Sequence, residues 1–129
     1  MNRKIKSVKE WLDQADYDLK SAEIMLKGRS YVYVVFLCHL AVEKALKAMY
    51  TDQFQTEPPR IHNLNYFVEH LELDLKQGFK NFLNQLSDLS VPTRYPDEIG
   101  KLAREYNAAL SKSILTQSKE FVAWLKKII

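Results

Sequence analysis

The chain contains one cysteine, Cys38, so no disulfide can form within it. Cys38 lies among the apolar residues Leu37 and Leu40, which is typical of a small buried side chain, and an unpaired thiol fits a reducing compartment. Glycine and proline are scarce as well, with 3 and 4 residues. Because tight turns depend on these two residue types, their scarcity excludes a fold with many short turns.

Long apolar runs are also missing, since the longest uncharged apolar stretch is shorter than a membrane span requires. The opening residues, MNRKIKSVKEW, carry charges and lack the apolar core of a secretory signal, so we expect a cytoplasmic protein. The 19 basic and 16 acidic residues give a net charge of only +3. This is too small for a protein that coats nucleic acid by electrostatics alone, so local groups would have to bind any anion.

Signatures that would fix a reaction are absent. The three histidines, at positions 39, 62 and 70, lack the spacing of paired metal ligands, and no HExxH motif or second cysteine accompanies them. The three glycines are too far apart to form a phosphate-binding loop. The sequence therefore predicts neither a metal site nor a cofactor.

Helical periodicity dominates what is present. Apolar residues at three- to four-residue spacing predict an amphipathic first helix from about Ser7 to a left-handed cap at Gly28, with Ser30 as the next N-cap. The second helix is predicted over Tyr31 to Phe54, where the prolines of the TEPPR segment stop it. This helix is apolar on almost every side, which is typical of a helix in the middle of a bundle.

The rest of the chain predicts shorter helices and one loop. Asn63 is the predicted N-cap of a short helix, and a second short piece covers about Leu75 to Leu86. The segment from Ser87 to Pro96 has no periodicity and is predicted to be the principal loop. A last helix is expected over about residues 105–128. We therefore expect an all-α, up-and-down four-helix bundle with its third helix split into two short pieces, forming a single domain over residues 1–129.

Three blocks occur in order along the chain: FLCHLAVEKALKAMY (Phe36 to Tyr50), PPRIHNL (Pro58 to Leu64) and TRYPD (Thr93 to Asp97). Together with DQADYDLKSAEIML in the first helix, they resemble the HEPN domain, an all-α domain often described as nucleotide-binding. The resemblance covers nearly the whole chain. It implies a homodimer, a minimal nucleotidyltransferase as partner in a toxin–antitoxin setting, and a nucleotide or RNA phosphate as ligand.

Many HEPN proteins are metal-independent ribonucleases that resemble one another in an arginine placed about one helical turn before a histidine. This chain departs from that pattern. Arg29 precedes His39 by ten residues, and Arg60 precedes His62 by only two. The departure favours a non-catalytic binding module. A ribonuclease toxin, with His62 or His39 as general acid or base, remains the alternative.

His39, Glu43 and Lys47 follow one another at four-residue spacing and therefore form one stripe on the second helix. One interpretation is a structural polar seam of His39 and Glu43 that fixes register within the bundle or across a dimer. The other is an anion or nucleotide site in which Lys44 and Lys47 contact phosphate, with Glu43 orienting one of them.

A second candidate site combines His62 and Arg60 with the RYP loop. Arg94 and Tyr95 can be a turn in which Asp97 caps the next helix, and His62 can make a purely local contact. Alternatively, an arginine fork and an aromatic face bind a phosphate and stack on a base, or Tyr95 is itself nucleotidylated. The nucleotide- or phosphate-binding candidates are therefore Arg60, His62, Arg94, Tyr95, Lys44 and Lys47.

Overall fold

The computed structural model describes residues 5–94 and 99–129, and helices dominate both ranges. Six helices occur there: α1 (Val8–Lys27), α2 (Tyr31–Phe54), α3 (Leu64–His70), α4 (Gln77–Arg94), α5 (Ile99–Glu105) and α6 (Ala108–Ile128). No strand occurs within these ranges. The predicted all-α bundle is confirmed, and α3 and α4 are the two pieces of its third helix. However, α4 has 18 residues and is not short.

The turn between α1 and α2 is tight and makes the two helices antiparallel neighbours. At the start of α1 the Ser7 hydroxyl accepts from the Glu10 amide. At its end Arg29 adopts the left-handed conformation, with φ of 62°, whereas Gly28 has φ of −80°; the predicted left-handed cap at Gly28 is therefore wrong. The Ser30 amide closes the turn by donating to the carbonyl of Met25.

Helix α2 lies at the centre and contacts α1, α3, α4, α5 and α6. Its predicted bounds are confirmed, although the residue that ends it is Gln55, which is left-handed with φ of 53°, rather than a proline. Eight of its apolar side chains are fully buried: Val34, Val35, Cys38, Ala41, Val42, Ala45, Leu46 and Ala48. This burial raises the pKa of the Cys38 thiol to about 12, so the thiol is protonated at neutral pH.

Aromatic side chains join α4 to α6. The Phe121 ring lies 5.2 Å from Phe79, nearly edge-on, 6.4 Å from Phe82 and 5.8 Å from Trp124, measured between ring centroids. Such pairs add to the stabilisation from burial. The contacts hold α4 beside the central bundle and thus fix its position relative to α2.

The prediction of a loop from Ser87 is wrong as far as Arg94, because α4 continues to that residue through Pro92. Two small polar residues occupy its buried face: the Ser90 hydroxyl donates to the Ser87 carbonyl, and the Thr93 hydroxyl donates to the Ser90 carbonyl. Hydrogen bonds within the helix thus satisfy the hydroxyls of Ser90 and Thr93. Because these buried residues are polar, they interrupt the apolar periodicity by which a helix is predicted. Residues 95–98 lie outside the described residues, and with them Tyr95 and the predicted cap at Asp97.

The C-terminal helix begins later than predicted. Its N-cap is Asn107, whose side chain accepts from the Leu110 amide, while residues 99–105 form the separate short helix α5. The hydroxyl of Tyr106, between the two helices, donates to the Leu89 carbonyl at 2.6 Å. Of the helices described, none combines the length and the apolar character needed to cross a membrane.

Candidate functional site

A buried carboxylate on α2 lies at the centre of the site. The side chain of Glu43 is only 4% exposed, and four basic side chains surround it. Its Oε2 atom lies 3.2 Å from Lys47 Nζ, while Oε1 lies 2.9 Å from His62 Nδ1, 3.5 Å from Arg94 Nη2 and 3.8 Å from His39 Nδ1. We call these five residues the Glu43 cluster. A buried charge requires such compensation, because desolvation of an unpaired carboxylate is costly.

The contact between His39 and Arg94 fixes the protonation of His39. Arg94 Nη2 lies 2.9 Å from His39 Nδ1, and since a guanidinium can only donate, Nδ1 accepts and the ring proton lies on Nε2. Burial is the main cause that lowers the pKa of His39 to about 4, and the charge of Arg94 lowers it further while Glu43 opposes the change. His39 is therefore neutral at pH 7 and serves to hold Arg94.

His62 lies in the segment before α3, and its side chain is 60% exposed. A carboxylate oxygen only accepts, so at 2.9 Å the His62 Nδ1 donates to Glu43 Oε1. This hydrogen bond orients the ring and leaves Nε2 for a ligand. The arrangement is that of a carboxylate–imidazole pair, in which the buried acid fixes the tautomer of an accessible histidine.

His62 and Arg94 lie in the wall of one cleft, which α2, the start of α3 and α4 enclose. Its volume is about 440 Å³, within the range of small-molecule sites. We call it the α2–α4 cleft. The residues that line it are His39, His62, Asn63, Asn65, Ser87, Asp88, Ser90, Val91 and Arg94.

Arg94, the last residue of α4, is 18% exposed and held in place. Besides His39 and Glu43, its guanidinium contacts the Phe36 ring, 5.5 Å from the ring centroid. Within residues 5–94 and 99–129, its hydrogen bonds are made by Nη2. Among the described residues the donors on Nη1 and Nε make no hydrogen bond, and the geometry of a planar fork suits a phosphate.

Two lysines proposed from the sequence lie away from this cleft. Lys44 Nζ lies 2.8 Å from Asp18 Oδ2, so its side chain faces α1. Lys47 is 9% exposed, and besides Glu43 its ammonium lies 5.6 Å from the Trp11 ring centroid and 5.9 Å from that of Phe67. Lys47 therefore compensates the buried carboxylate, and neither lysine lines the cleft.

Arg60 is also outside the cleft. Its side chain is 79% exposed, and its Nη2 lies 4.0 Å from Glu57 Oε1. Of the six binding candidates, His62 and Arg94 line the cleft, whereas Arg60, Lys44 and Lys47 do not. Tyr95 falls outside the described residues. His39 and Glu43 lie next to each other on α2, and both contact Arg94.

Several cleft residues escaped the sequence interpretation. The sequence predicts Asn63 only as a cap, and its Oδ1 does accept from the amides of Asn65 and Tyr66, so these amides are already bonded. Asp88 and Ser87 fall in the segment that the sequence predicts to be a loop. The signal that could have found Asp88 is its three-residue spacing from Val91 and then Arg94, which places the three on neighbouring turns of a helix. Across the two described ranges, no group of three or more His, Cys, Asp or Glu side chains is arranged to hold a metal ion.

Fold and site together define an all-α bundle in which a buried carboxylate on the central helix organises basic side chains beside a small cleft. The profile of the HEPN domain matches residues 8–128. The chain therefore belongs to the HEPN domain family, which confirms the resemblance found in its sequence.

Two solved structures are similar over most of their length. TT1696 from Thermus thermophilus superposes with a TM-score of 0.82 at 24% identity, and the match covers 95% of this chain and 98% of that one. ST0689, an archaeal HEPN homologue, has a TM-score of 0.75 at 26% identity with the same coverage. No curated protein sequence matches the chain significantly.

Proposed function

We propose that the chain is a non-catalytic binding module whose α2–α4 cleft takes the phosphate of a nucleotide or of RNA. The observation that carries the proposal is Arg94, held by His39 and Glu43 in the wall of the cleft beside the exposed ring of His62. A charged fork fixed before the ligand arrives loses little side-chain entropy on binding. Arg94 would therefore contact the phosphate, and His62 Nε2 would add a second hydrogen bond.

The charge balance of the Glu43 cluster favours a phosphate at the Arg94 end of the cleft. Glu43 contributes one negative charge, whereas Lys47 and Arg94 contribute two permanent positive charges. His39 is neutral because its pKa is lowered to about 4 by burial. One positive charge of the cluster is thus left over, and low solvent exposure of Arg94 strengthens its attraction for a phosphate.

The non-catalytic assignment rests on the histidines. In metal-independent cleavage of RNA the 2′-hydroxyl attacks the adjacent phosphate. The reaction therefore calls for proton transfer both from this nucleophile and to the leaving group. Of the two histidines that line the cleft, His39 is buried and bonded to Arg94, so only His62 is placed to exchange protons with a ligand. The arginine-to-histidine spacing of HEPN ribonucleases is missing as well.

Calorimetric titration with ribonucleoside 5′-monophosphates and the matching nucleosides tests this proposal. We expect binding that depends on the phosphate and weakens about tenfold or more in Arg94→Gln, since a hydrogen bond to a charged group contributes on the order of 1.5–3 kcal/mol. Arg60→Gln, which alters an exposed arginine outside the cleft, is the matched control. Equal affinity for nucleosides and nucleotides, or an equal loss in both variants, would contradict the proposal.

A specific observation favours a second candidate, a metal-independent ribonuclease. The 2.9 Å contact between Glu43 and His62 is the arrangement in which a carboxylate orients a general acid or base, and Arg94 could stabilise a phosphorane-like transition state. Incubation of RNA with the protein in the presence of EDTA separates the two functions. Cleavage that persists with EDTA and disappears in His62→Ala would establish the nuclease and remove the non-catalytic assignment.

The family context adds a cytoplasmic homodimer with a small nucleotidyltransferase as partner, in a toxin–antitoxin setting, to the proposal. Native mass spectrometry of the protein purified from its own host by an affinity tag tests this part. A mass equal to the homodimer plus a second polypeptide, identified by peptide sequencing as a nucleotidyltransferase, is the expected result. A monomeric mass at every protein concentration would contradict the dimer.

A further inference from the structure

Asp88 introduces a negative charge into the same cleft that Arg94 lines. Its carboxylate belongs to the exposed side of α4, and in the part of the chain that the structure describes no ion pair or hydrogen bond engages it. A carboxylate beside a phosphate would repel it. A ligand whose phosphate contacts Arg94 must therefore present a different group, one that donates hydrogen bonds, to Asp88.

Asp88 and Arg94 are far enough apart on α4 to contact different groups of one ligand. Asp88 precedes Arg94 by six residues, which corresponds to about 9 Å along the helix axis, and Val91 occupies the wall between them. Ser87 and Asn65 add a hydroxyl and an amide to the same cleft. The volume of about 440 Å³ is suited to a small organic molecule and is far larger than an inorganic phosphate requires.

We propose that the ligand of the α2–α4 cleft is a ribonucleotide and that Asp88 accepts hydrogen bonds from the 2′- and 3′-hydroxyls of its ribose. A carboxylate is the side chain that nucleotide-binding sites commonly use for the ribose diol, and the 2′-hydroxyl is the group that distinguishes RNA from DNA. This inference rests on the proposed function, since it takes the position of the phosphate from Arg94. The inference adds the ribose as the part of the ligand that the cleft recognises.

The test compares each of the four ribonucleoside 5′-monophosphates with its 2′,3′-dideoxy counterpart by calorimetric titration. For the wild-type protein we expect the best ribonucleotide to bind about tenfold or more tightly than its dideoxy form, because hydrogen bonds to a charged acceptor are lost. In Asp88→Ala the ribonucleotide should weaken by a similar factor. The dideoxy form should bind as well as before or slightly better, because the repulsion of its phosphate is removed.

Asp74→Ala, which removes an exposed carboxylate outside the cleft, is the control and should preserve the wild-type preference. A merely structural role of Asp88 would weaken both forms of the ligand equally, and that result would overturn the inference. Equal binding of ribose and dideoxy forms to the wild type, with affinity still lost in Arg94→Gln, would overturn the role of Asp88 and leave the proposed function standing. No binding of any of these nucleotides would overturn both the inference and the nucleotide as the ligand of the proposed function.

Discussion

The histidine at position 39 illustrates how one buried side chain can be kept neutral for a structural purpose. Its Nδ1 accepts from Arg94, which a protonated ring could not do. If His39 gained a proton, it would lose this hydrogen bond and place a second positive charge against the guanidinium. The neutral state of His39 and the position of Arg94 in the cleft are therefore linked.

Stability should depend on pH through His39. The pKa of an unfolded histidine is about 6.5, whereas burial lowers the pKa of His39 to about 4. Between these values the unfolded chain binds a proton at this histidine that the folded chain does not. The contribution of neutral His39 to the free energy of unfolding is therefore fully present above about pH 6.5 and is lost as the pH falls towards 4. The gap between the two pKa values corresponds to on the order of 3 kcal/mol.

Urea unfolding at pH 7 and pH 5 measures this effect. The wild type should lose about 2 kcal/mol more than His39→Gln over this interval, because glutamine still accepts from Arg94 but does not titrate. His70→Gln, which changes an exposed histidine that stacks on Tyr66, is the control. Identical pH dependence in His39→Gln and the wild type would refute the assignment.

Glu43 has the complementary role, since its carboxylate compensates Lys47 and Arg94. We expect Glu43→Ala to lower the free energy of unfolding by on the order of 3 kcal/mol, because removal of one partner leaves the others buried and uncompensated. Thermal unfolding at pH 7 is the measurement, with Glu120→Ala on the exposed side of α6 as control. A melting temperature equal to that of the wild type would rule out the compensating role.

At the scale of elements, the sequence predicts helices well where apolar periodicity is unbroken and poorly where small polar residues are buried. The bounds of α2 follow from its sequence because nearly every side of that helix is apolar. The C-terminal half of α4 does not follow, since Ser90 and Thr93 lie on its buried face and satisfy their hydroxyls within the helix. Tertiary packing there overrides a pattern that favours a loop.

The candidate site is even less accessible from the sequence. His62 and Glu43 are 19 residues apart, and Arg94 and His39 are 55 residues apart, so no local spacing reveals either contact. What the sequence does provide is the stripe of His39, Glu43 and Lys47 on one face of α2, together with the conspicuous residues His62 and Arg94. The packing of the helices determines which of these residues contact one another.

Two helix N-termini offer a matched comparison of capping. The Asn63 side chain accepts from two amides at the start of the seven-residue helix α3, whereas Ser30 at the start of α2 makes no such hydrogen bond. We expect Asn63→Ala to destabilise the protein by about 1 kcal/mol and Ser30→Ala to have an effect below about 0.5 kcal/mol. Urea unfolding of both variants measures the difference, and equal effects would show that the Asn63 cap contributes nothing specific.

At the scale of the whole molecule, the central position of α2 implies that the bundle unfolds as a unit. All the other helices described contact α2, so α1 or α6 cannot separate from it without exposing part of its buried surface. Small single domains with one shared core generally unfold in a single cooperative transition. A loosely attached helix would instead unfold at a lower denaturant concentration than the rest.

The two tryptophans make this testable, since Trp11 belongs to α1 and Trp124 to α6. Trp11 lies beside Lys6 and Lys47, and Trp124 packs on Phe79 and Phe121, so the two rings report on different parts of the bundle. In Trp124→Phe and in Trp11→Phe, we expect the fluorescence of the remaining tryptophan and the far-UV circular dichroism to give the same urea midpoint. Both probes are compared within one variant, which cancels any change in stability caused by the substitution itself. Midpoints that differ between the probes in either variant would show that the helix carrying the remaining tryptophan unfolds separately from α2.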